Sequence, residues 1–106
     1  MGYVCEFKLN NKTIAKTKEI TYNVGTILRK CTGLKWKLNT NNGLVKDIIG
    51  NIKNGYLELT QHPADYREFQ PDLGTGTVED AAKFLFSIIN LYNQFTNLDN
   101  VYFYIR

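Results

Sequence analysis

The first twenty residues alternate between apolar and polar positions in the way that two strands of a hairpin do. Residues 3–9 place Tyr, Cys, Phe and Leu at every second position, which is typical of a strand with one buried face. Asn10-Asn11 supplies a turn, because asparagine tolerates a positive φ angle. A second strand, rich in Thr and Ile, is predicted over 12–20, so the chain opens with a β-hairpin.

Three later stretches have the apolar spacing of amphipathic helices. The first is predicted over 24–32, with Asn23 as its N-cap and Gly33 just beyond its C-terminus. The second begins at Leu44 and is ended by a His-Pro pair, since the residue before proline avoids the α region. The third and clearest covers 78–96 behind a Thr-x-x-Asp start that resembles a capping box.

The remaining segments connect these elements. Residues 34–38 alternate again and are predicted to form a short strand or an extended connection. The Asn-rich cluster 39–43 and the stretch 70–75 are predicted loops. Residues 63–67 can form one helical turn with proline at its first position. The alternation over 101–105 predicts a terminal strand.

These pieces predict an α+β fold. A small antiparallel or mixed sheet, made of the N-terminal hairpin plus the C-terminal strand, is packed on one face by two or three helices. The final strand is expected to join the hairpin, because an isolated hairpin is marginally stable in water. The length of 106 residues predicts a single domain, 1–106.

Composition narrows the class of protein. The hydrophobic fraction of 43% and the charged fraction of 22% are those of a folded globular chain, not a disordered one. No apolar run approaches the roughly 18 residues needed to cross a bilayer, and the N-terminus lacks a secretory pattern. Cys5 and Cys31 are far apart in apolar patterns, which favours buried free thiols in a reducing compartment. A cytoplasmic protein without membrane contact is therefore expected.

Charge is distributed unevenly along the chain. Residues 1–53 carry ten basic and three acidic side chains, a net charge of +7, whereas residues 54–106 carry three basic and seven acidic ones, a net charge of −4. A basic half can attract an anionic partner. The alternative is that the lysines merely keep a small domain soluble.

The Gly/Thr-rich turn before the last helix is the first candidate binding site. Its residues are Gly74, Thr75, Gly76 and Thr77. Glycines allow close backbone approach, and a helix N-terminus offers unpaired N–H groups that suit a phosphate or carboxylate. The alternative is a plain structural cap, because the acidic first turn of the helix already compensates the helix dipole.

Further candidate ligand contacts combine aromatic and polar or basic side chains. A base stacked on a tryptophan with phosphate held by neighbouring cations is a sensible nucleotide contact, but a tryptophan between two leucines also suits a core. Two tyrosines of the last strand form either a helix-covered face or an exposed pair able to stack a ligand. The candidates are Tyr22, Asn23, Arg29, Lys35, Trp36, Lys37, Tyr102 and Tyr104.

Catalytic patterns are sparse. His62 is the single histidine, and no HExxH, His/Cys cluster or G-x-S-x-G occurs in the sequence. The sequence therefore predicts a binding protein with no metal and no cofactor, not an enzyme.

One resemblance covers most of the chain. The Ile-Thr-Tyr-Asn-Val run at 20–24, the His-Pro-Ala-Asp-Tyr run at 62–66 and the stretch from Gln-Pro-Asp-Leu-Gly-Thr-Gly to the acidic helix start at 70–81 are the residues that carry it. The sequence resembles a widespread group of small uncharacterised proteins encoded by tailed phages and prophages. His62 stands where that group has Asn, and Thr75 stands where it typically has Trp.

The resemblance implies a short accessory gene of a mobile element, expressed in a bacterial cytoplasm, and such genes often antagonise host immunity. The expected function is to bind and sequester an anionic, nucleotide-like immune signal without catalysis. Under this hypothesis we expect a homo-oligomer, namely a dimer, because one small monomer offers little concave surface. The alternatives are a protein-binding inhibitor of a host defence complex, as anti-CRISPR proteins are, and a nucleic-acid-binding protein.

Overall fold

The computed structural model describes residues 1–72 and 74–106, which contain six strands, three α-helices and two 3-10 segments. The strands are β1 (Gly2–Tyr3), β2 (Cys5–Leu9), β3 (Lys12–Lys16), β4 (Ile20–Thr21), β5 (Thr40–Leu44) and β6 (Tyr102–Ile105). The α-helices are α1 (Gly25–Thr32), α2 (Val45–Gln61) and α3 (Val78–Asn93), and the 3-10 segments are Tyr22–Val24 and Pro63–Phe69. Leu73, in the predicted loop 70–75, lies outside the described residues.

The main sheet has the order β3-β2-β6-β5, and every pairing in it is antiparallel. The terminal strand β6 lies beside the hairpin strand β2, with Phe7 opposite Phe103, as predicted from the marginal stability of an isolated hairpin. Strand β1 pairs separately with β4. The α+β prediction is confirmed.

The two N-terminal strands are each divided, where the sequence predicted continuous ones. The first is interrupted at Val4, whose amide and carbonyl both bond Arg106, at 2.8 Å each. The second ends at Lys16, and Thr17 then uses its backbone amide and side chain to bond Cys5. These bonds turn the chain so that Ile20–Thr21 pairs with β1 instead of extending β3.

One face of the sheet forms the core with the helices. Cys5, Phe7, Phe103 and Ile105 are fully buried and pack in one cluster with the apolar faces of α1, α2 and α3. Burying a large apolar side chain contributes roughly 1.5–3 kcal/mol, so this layer dominates the stability of the fold. Among the described residues no helix is long and apolar enough to cross a membrane.

The Asn-rich segment 39–43 is a strand for most of its length, so the loop prediction is wrong. Thr40 and Asn41 pair with β6, and a bulge follows before Leu44 resumes the pairing. The side chain of Asn42 makes two bonds with the backbone of Lys35, each 3.1 Å long. Pairing with a neighbouring strand thus overrides the turn preference of asparagine, and residues 34–38 are an extended connection without strand pairing.

The three helices lie close to their predicted positions, but the predicted N-cap of α1 is wrong. Thr21, not Asn23, accepts a hydrogen bond from a backbone amide, and it does so for the 3-10 segment that precedes α1. Helix α1 then continues from this segment with Val24 in helical conformation and without a side-chain cap. Gly33 ends α1 with φ +71°, as the sequence predicted.

Two glycines of α2 have different surroundings. A Cβ atom at Gly55 would lie 2.6 Å from Thr32 Cγ2 and 3.2 Å from Leu85 Cδ1, so this glycine lets α2 pack closely between α1 and α3. A Cβ atom at Gly50 would meet nothing within 4 Å. Of these two glycines, only Gly55 is therefore required by the packing of the helices.

We expect opposite effects from alanine at these two sites. Gly50→Ala should raise the free energy of unfolding by about 0.5–1 kcal/mol, because alanine has the higher helix propensity. Gly55→Ala should lower it by about 1 kcal/mol net, since overpacking outweighs the same gain. Urea unfolding of the two variants measures both values. A gain in stability for Gly55→Ala would contradict the close packing of the three helices.

Candidate ligand groove

A groove of about 640 Å³ lies between α3 and the chain segment that links β3 to β4. Thr75, from the predicted Gly/Thr turn, lines it as well. The groove is open along one side. Its lining residues are Lys16, Thr17, Lys18, Glu19, Ile20, Thr21, Thr75, Asp80, Lys83, Phe84, Ser87, Asn90, Leu91 and Gln94.

The groove combines an apolar surface with one row of polar side chains. Ile20, Phe84 and Leu91 supply the apolar contacts. Ser87, Asn90 and Gln94 lie three and four residues apart on α3, so they project from the same side of the helix. This row presents hydroxyl and amide groups beside the apolar surface, an arrangement that suits a partly flat ligand with polar edges.

Three lysines give the groove its charge. Lys16, Lys18 and Lys83 line it, and none of them forms an ion pair within 4.0 Å among the described residues. The two acids of the lining are engaged elsewhere. Glu19 lies 3.2 Å from the N-terminal amine, and the carboxylate of Asp80 accepts backbone hydrogen bonds. The available charge is therefore positive and favours an anionic ligand.

The start of α3 is closed by the protein's own side chains. Asp80 Oδ2 accepts from the amides of Gly76 and Thr77, at 3.2 and 3.1 Å, and Thr77 Oγ1 accepts from the amide of Asp80. The amide of Val78 donates to Gln70 Oε1 at 3.0 Å. The capping interpretation is thus confirmed. The amides of Gly76, Thr77, Val78 and Asp80 already have protein acceptors, so these four donors are not free for the anion that the sequence predicted at this helix start.

The conformation and surroundings of Gly76 require a glycine at this position of the turn. Its φ is +108°, and a Cβ atom there would lie 2.7 Å from the Cβ of Asn23. The side-chain amide of Asn23 donates to the carbonyl of Thr75 at 3.3 Å. The turn therefore packs against the 3-10 segment before α1, where Tyr22 also contacts Tyr3 edge-on with ring centroids 5.0 Å apart. Gly74, with φ +93°, is exposed.

The predicted basic cluster is divided between core and surface. Trp36 is only 2% exposed, and its indole N–H donates to Thr32 Oγ1 at 2.8 Å, so a base cannot stack on it. Arg29 donates to the carbonyl of Trp36 at 3.2 Å. Lys35 and Lys37 are exposed and do not line the groove. The core interpretation of the tryptophan is the correct one.

Tyr102 and Tyr104 lie on the face of the sheet opposite the core. Their strand neighbours Phe103 and Ile105 are fully buried, whereas Tyr102 is 43% exposed. None of the described helices covers this outer face. The helix-covered alternative is therefore wrong. Tyr102 is exposed, whereas Tyr104 is half-buried with Lys8 Nζ over its ring.

The thiols and the histidine take no part in the groove. Burial raises the pKa of the Cys31 thiol to about 12 and raises that of Cys5 well above its usual value, which keeps both unreactive. Both are free and buried, as predicted. His62 is exposed at the end of α2. Among residues 1–72 and 74–106 no three His, Cys, Asp or Glu side chains are grouped so as to hold a metal ion.

Most of the groove was missed by sequence reasoning, and Thr75 alone of the twelve predicted site residues lines it. The polar row on α3 has a signal in the sequence, since Lys83, Ser87, Asn90 and Gln94 recur every three or four residues beside the apolar stripe. The sequence gives no local signal that the segment between β3 and β4 approaches that row, because this approach depends on how the chain turns after Thr17.

Comparison of the chain with protein-family models, with curated proteins and with solved structures gives no significant match. The resemblance to phage and prophage proteins therefore stays a prediction from sequence. The geometry and chemistry of the groove are therefore the basis for its proposed function.

The capping box at the start of α3 should make the stability of the protein depend on pH. Bonds from the amides of Thr77 and Gly76 hold the pKa of Asp80 below its ordinary value near 3.8. A lowered folded-state pKa adds stability above that ordinary value, and this stability is lost as the pH falls through the folded-state pKa. Asp80→Asn should therefore cost up to about 1 kcal/mol at neutral pH, and this cost should shrink as the pH falls below that ordinary value.

Urea unfolding of wild type and Asp80→Asn across this pH range measures the difference. Glu68→Gln is the matched control, because Glu68 is exposed and makes no hydrogen bond to the start of α3 among the described residues. A stability difference for Asp80→Asn that does not change with pH would contradict the role of its carboxylate.

Proposed function

We propose that the groove binds a small anionic, nucleotide-like molecule and that the protein acts by sequestering it. The observation that carries this proposal is the set of three lysines, Lys16, Lys18 and Lys83, without ion-pair partners among the described residues, around an apolar surface. A cation near a low-dielectric wall attracts phosphate more strongly than an isolated surface lysine does.

Size and chemistry support this class of ligand. A volume of about 640 Å³ falls within the range of roughly 300–1,000 Å³ that is typical of small-molecule sites. The lysine ammonium groups suit phosphate oxygens, and the half-buried side chains of Ile20 and Leu91 offer apolar contact to a base. Ser87, Asn90 and Gln94 offer donors and acceptors for the edge of a base or a ribose.

The biological setting that we propose comes from the sequence resemblance. A short protein of a phage or prophage that binds a nucleotide without chemistry would lower the concentration of a host immune signal in the bacterial cytoplasm. The protein is thus proposed to be an anti-defence sponge, not an enzyme.

Charge reversal in the groove should abolish or strongly weaken binding. Lys18→Glu/Lys83→Glu should lower the affinity for a ligand found in a panel of cyclic dinucleotides and ADP-ribose derivatives by at least about tenfold, or 1.4 kcal/mol. The cause is that phosphate would meet two carboxylates in place of two ammonium groups. Isothermal titration calorimetry measures the change. Lys37→Glu is the control, because Lys37 is exposed and lies outside the groove.

A well-folded protein that binds no member of the panel would count against a nucleotide-like ligand. Equal affinity of the double variant and Lys37→Glu would place any binding outside the groove. Far-UV circular dichroism of each variant excludes unfolding as the cause of lost binding.

An apolar patch beside the groove supports self-association. Phe86 is 45% exposed, and its ring lies 5.3 Å from that of Tyr56, centroid to centroid. The two rings line a depression of about 490 Å³ together with Lys83, Ser87 and Asn90, which also line the groove. We propose that two copies associate through this patch, so that each partner lies next to the other's open groove.

Phe86→Asp should then convert a dimer into a monomer, because a carboxylate cannot be buried in this patch without a partner. Size-exclusion chromatography with light scattering at micromolar concentration measures the mass. Leu57→Asp is the control, since Leu57 is 47% exposed on α2 but does not line the depression. A monomeric wild type would exclude the dimer and favour the second candidate function, an inhibitor that presents this patch to a host defence protein.

A further inference from the structure

The outer face of the main sheet has a chemical character of its own. Strands β2 and β6 lie at its centre, and none of the described helices covers it. Lys8 lies opposite Tyr102 in the pairing of these strands, and Glu6 lies opposite Tyr104. Aromatic and charged side chains therefore alternate over the middle of an open sheet.

The single acid among these side chains is neutralised within the face. Glu6 is only 5% exposed, because Lys8 Nζ lies 3.8 Å from one carboxylate oxygen and Arg106 Nη2 lies 3.2 Å from the other. Lys16, opposite Glu6 on β3, is exposed. The carboxylate is thus paired with two cations, Lys8 and Arg106, and Lys16 adds a further positive charge on the neighbouring strand.

Aromatic rings are arranged along β6 on the same face. Tyr102 and Tyr104 are two residues apart on one strand, so their side chains project in parallel, roughly 6.6 Å apart along the strand. Tyr104 carries the ammonium group of Lys8 over its ring at 4.7 Å, whereas Tyr102 is 43% exposed. The ring of Tyr102 is therefore available to a ligand, and the ring of Tyr104 is held in place by a cation.

We propose that this outer face binds single-stranded nucleic acid, with one base stacked on Tyr102 and the adjacent backbone phosphates held by Lys8, Lys16 and Arg106. An aromatic ring accepts any base because every base has a π-face, and nearby cations neutralise the phosphates. The cations of the face match the phosphates of such a strand, and the exposed ring of Tyr102 matches one of its bases. This site differs from the proposed nucleotide groove in having an open surface and no concave wall, and the two sites share Lys16.

A single strand fits this face better than a duplex. Duplex bases are stacked on one another and leave no face free for Tyr102, so a duplex would use the cations alone. The four antiparallel strands also present an open face that a splayed strand can cross.

Fluorescence anisotropy with labelled oligodeoxythymidylate at low salt tests the proposal. Tyr102→Ala should weaken binding at least about fivefold, the loss expected for one stacked base, whereas Tyr102→Trp should retain it. Leu57→Ala is the matched control, because Leu57 has a similar exposure, 47%, on α2 at the helical side of the molecule. Its affinity for the oligonucleotide should equal that of wild type.

Salt dependence separates the ionic contacts with phosphate from the stacking of a base on Tyr102. Affinity should fall with added salt, and Lys8→Gln should reduce the slope of log K against log salt by about 0.7, the value for one phosphate contact on a single strand. Absence of binding by a folded wild type at low salt would overturn the proposal. So would equal binding by Tyr102→Ala and wild type, or equal affinity for single-stranded and duplex DNA of the same length.

The groove variant Lys18→Glu/Lys83→Glu keeps the two proposals distinguishable. It changes neither Tyr102 nor Lys8, so Tyr102→Ala should still weaken oligonucleotide binding about fivefold in this background, whose lower net charge affects both variants equally, while the small-molecule ligand is lost. Absence of a Tyr102→Ala effect in this background would overturn the assignment to the sheet.

Discussion

The burial of Trp36 is the constraint on which the arrangement of the other elements depends. Its ring contacts Phe84 of α3 and Phe103 of β6, with centroids 6.0 and 6.4 Å away. Its indole N–H bonds the hydroxyl of Thr32, which in turn donates to the carbonyl of Leu28. A buried indole without that partner would cost the desolvation of its N–H group, so the end of α1 and the chain after it are fixed together.

This central packing leaves two different surfaces free for contact. The helical side of the molecule carries the groove, which combines lysines with apolar side chains. The outer face of the sheet carries cations that alternate with tyrosines. Both draw most of their cations from residues 1–53, which carry a net charge of +7. In the second half, Asp80 caps a helix and Glu79 forms an ion pair. This ion pair is the bidentate one with Arg67.

The sequence predicts elements well where local spacing decides them and poorly where a distant partner does. The last helix follows from its apolar stripe and its Thr-x-x-Asp start, both of which are local. Strand β5 could not be predicted, because Asn41 and Gly43 favour turns until β6 lies alongside. The groove was not predicted for the same reason, since Lys18 and Lys83 are far apart in sequence. The alternation around Trp36 favoured a core residue and left a ligand contact as the alternative.

The two edges of the main sheet have a consequence for how this protein meets other molecules. Strand β5 has a bulge with Gly43 at φ +102°, and β3 carries lysines and faces a bulge between Phe7 and Lys8. Bulges and lysines at an edge discourage a further strand from pairing there. Growth of the sheet into fibres and capture of an extended peptide by strand addition are both disfavoured. Recognition is thereby directed to the faces of the molecule.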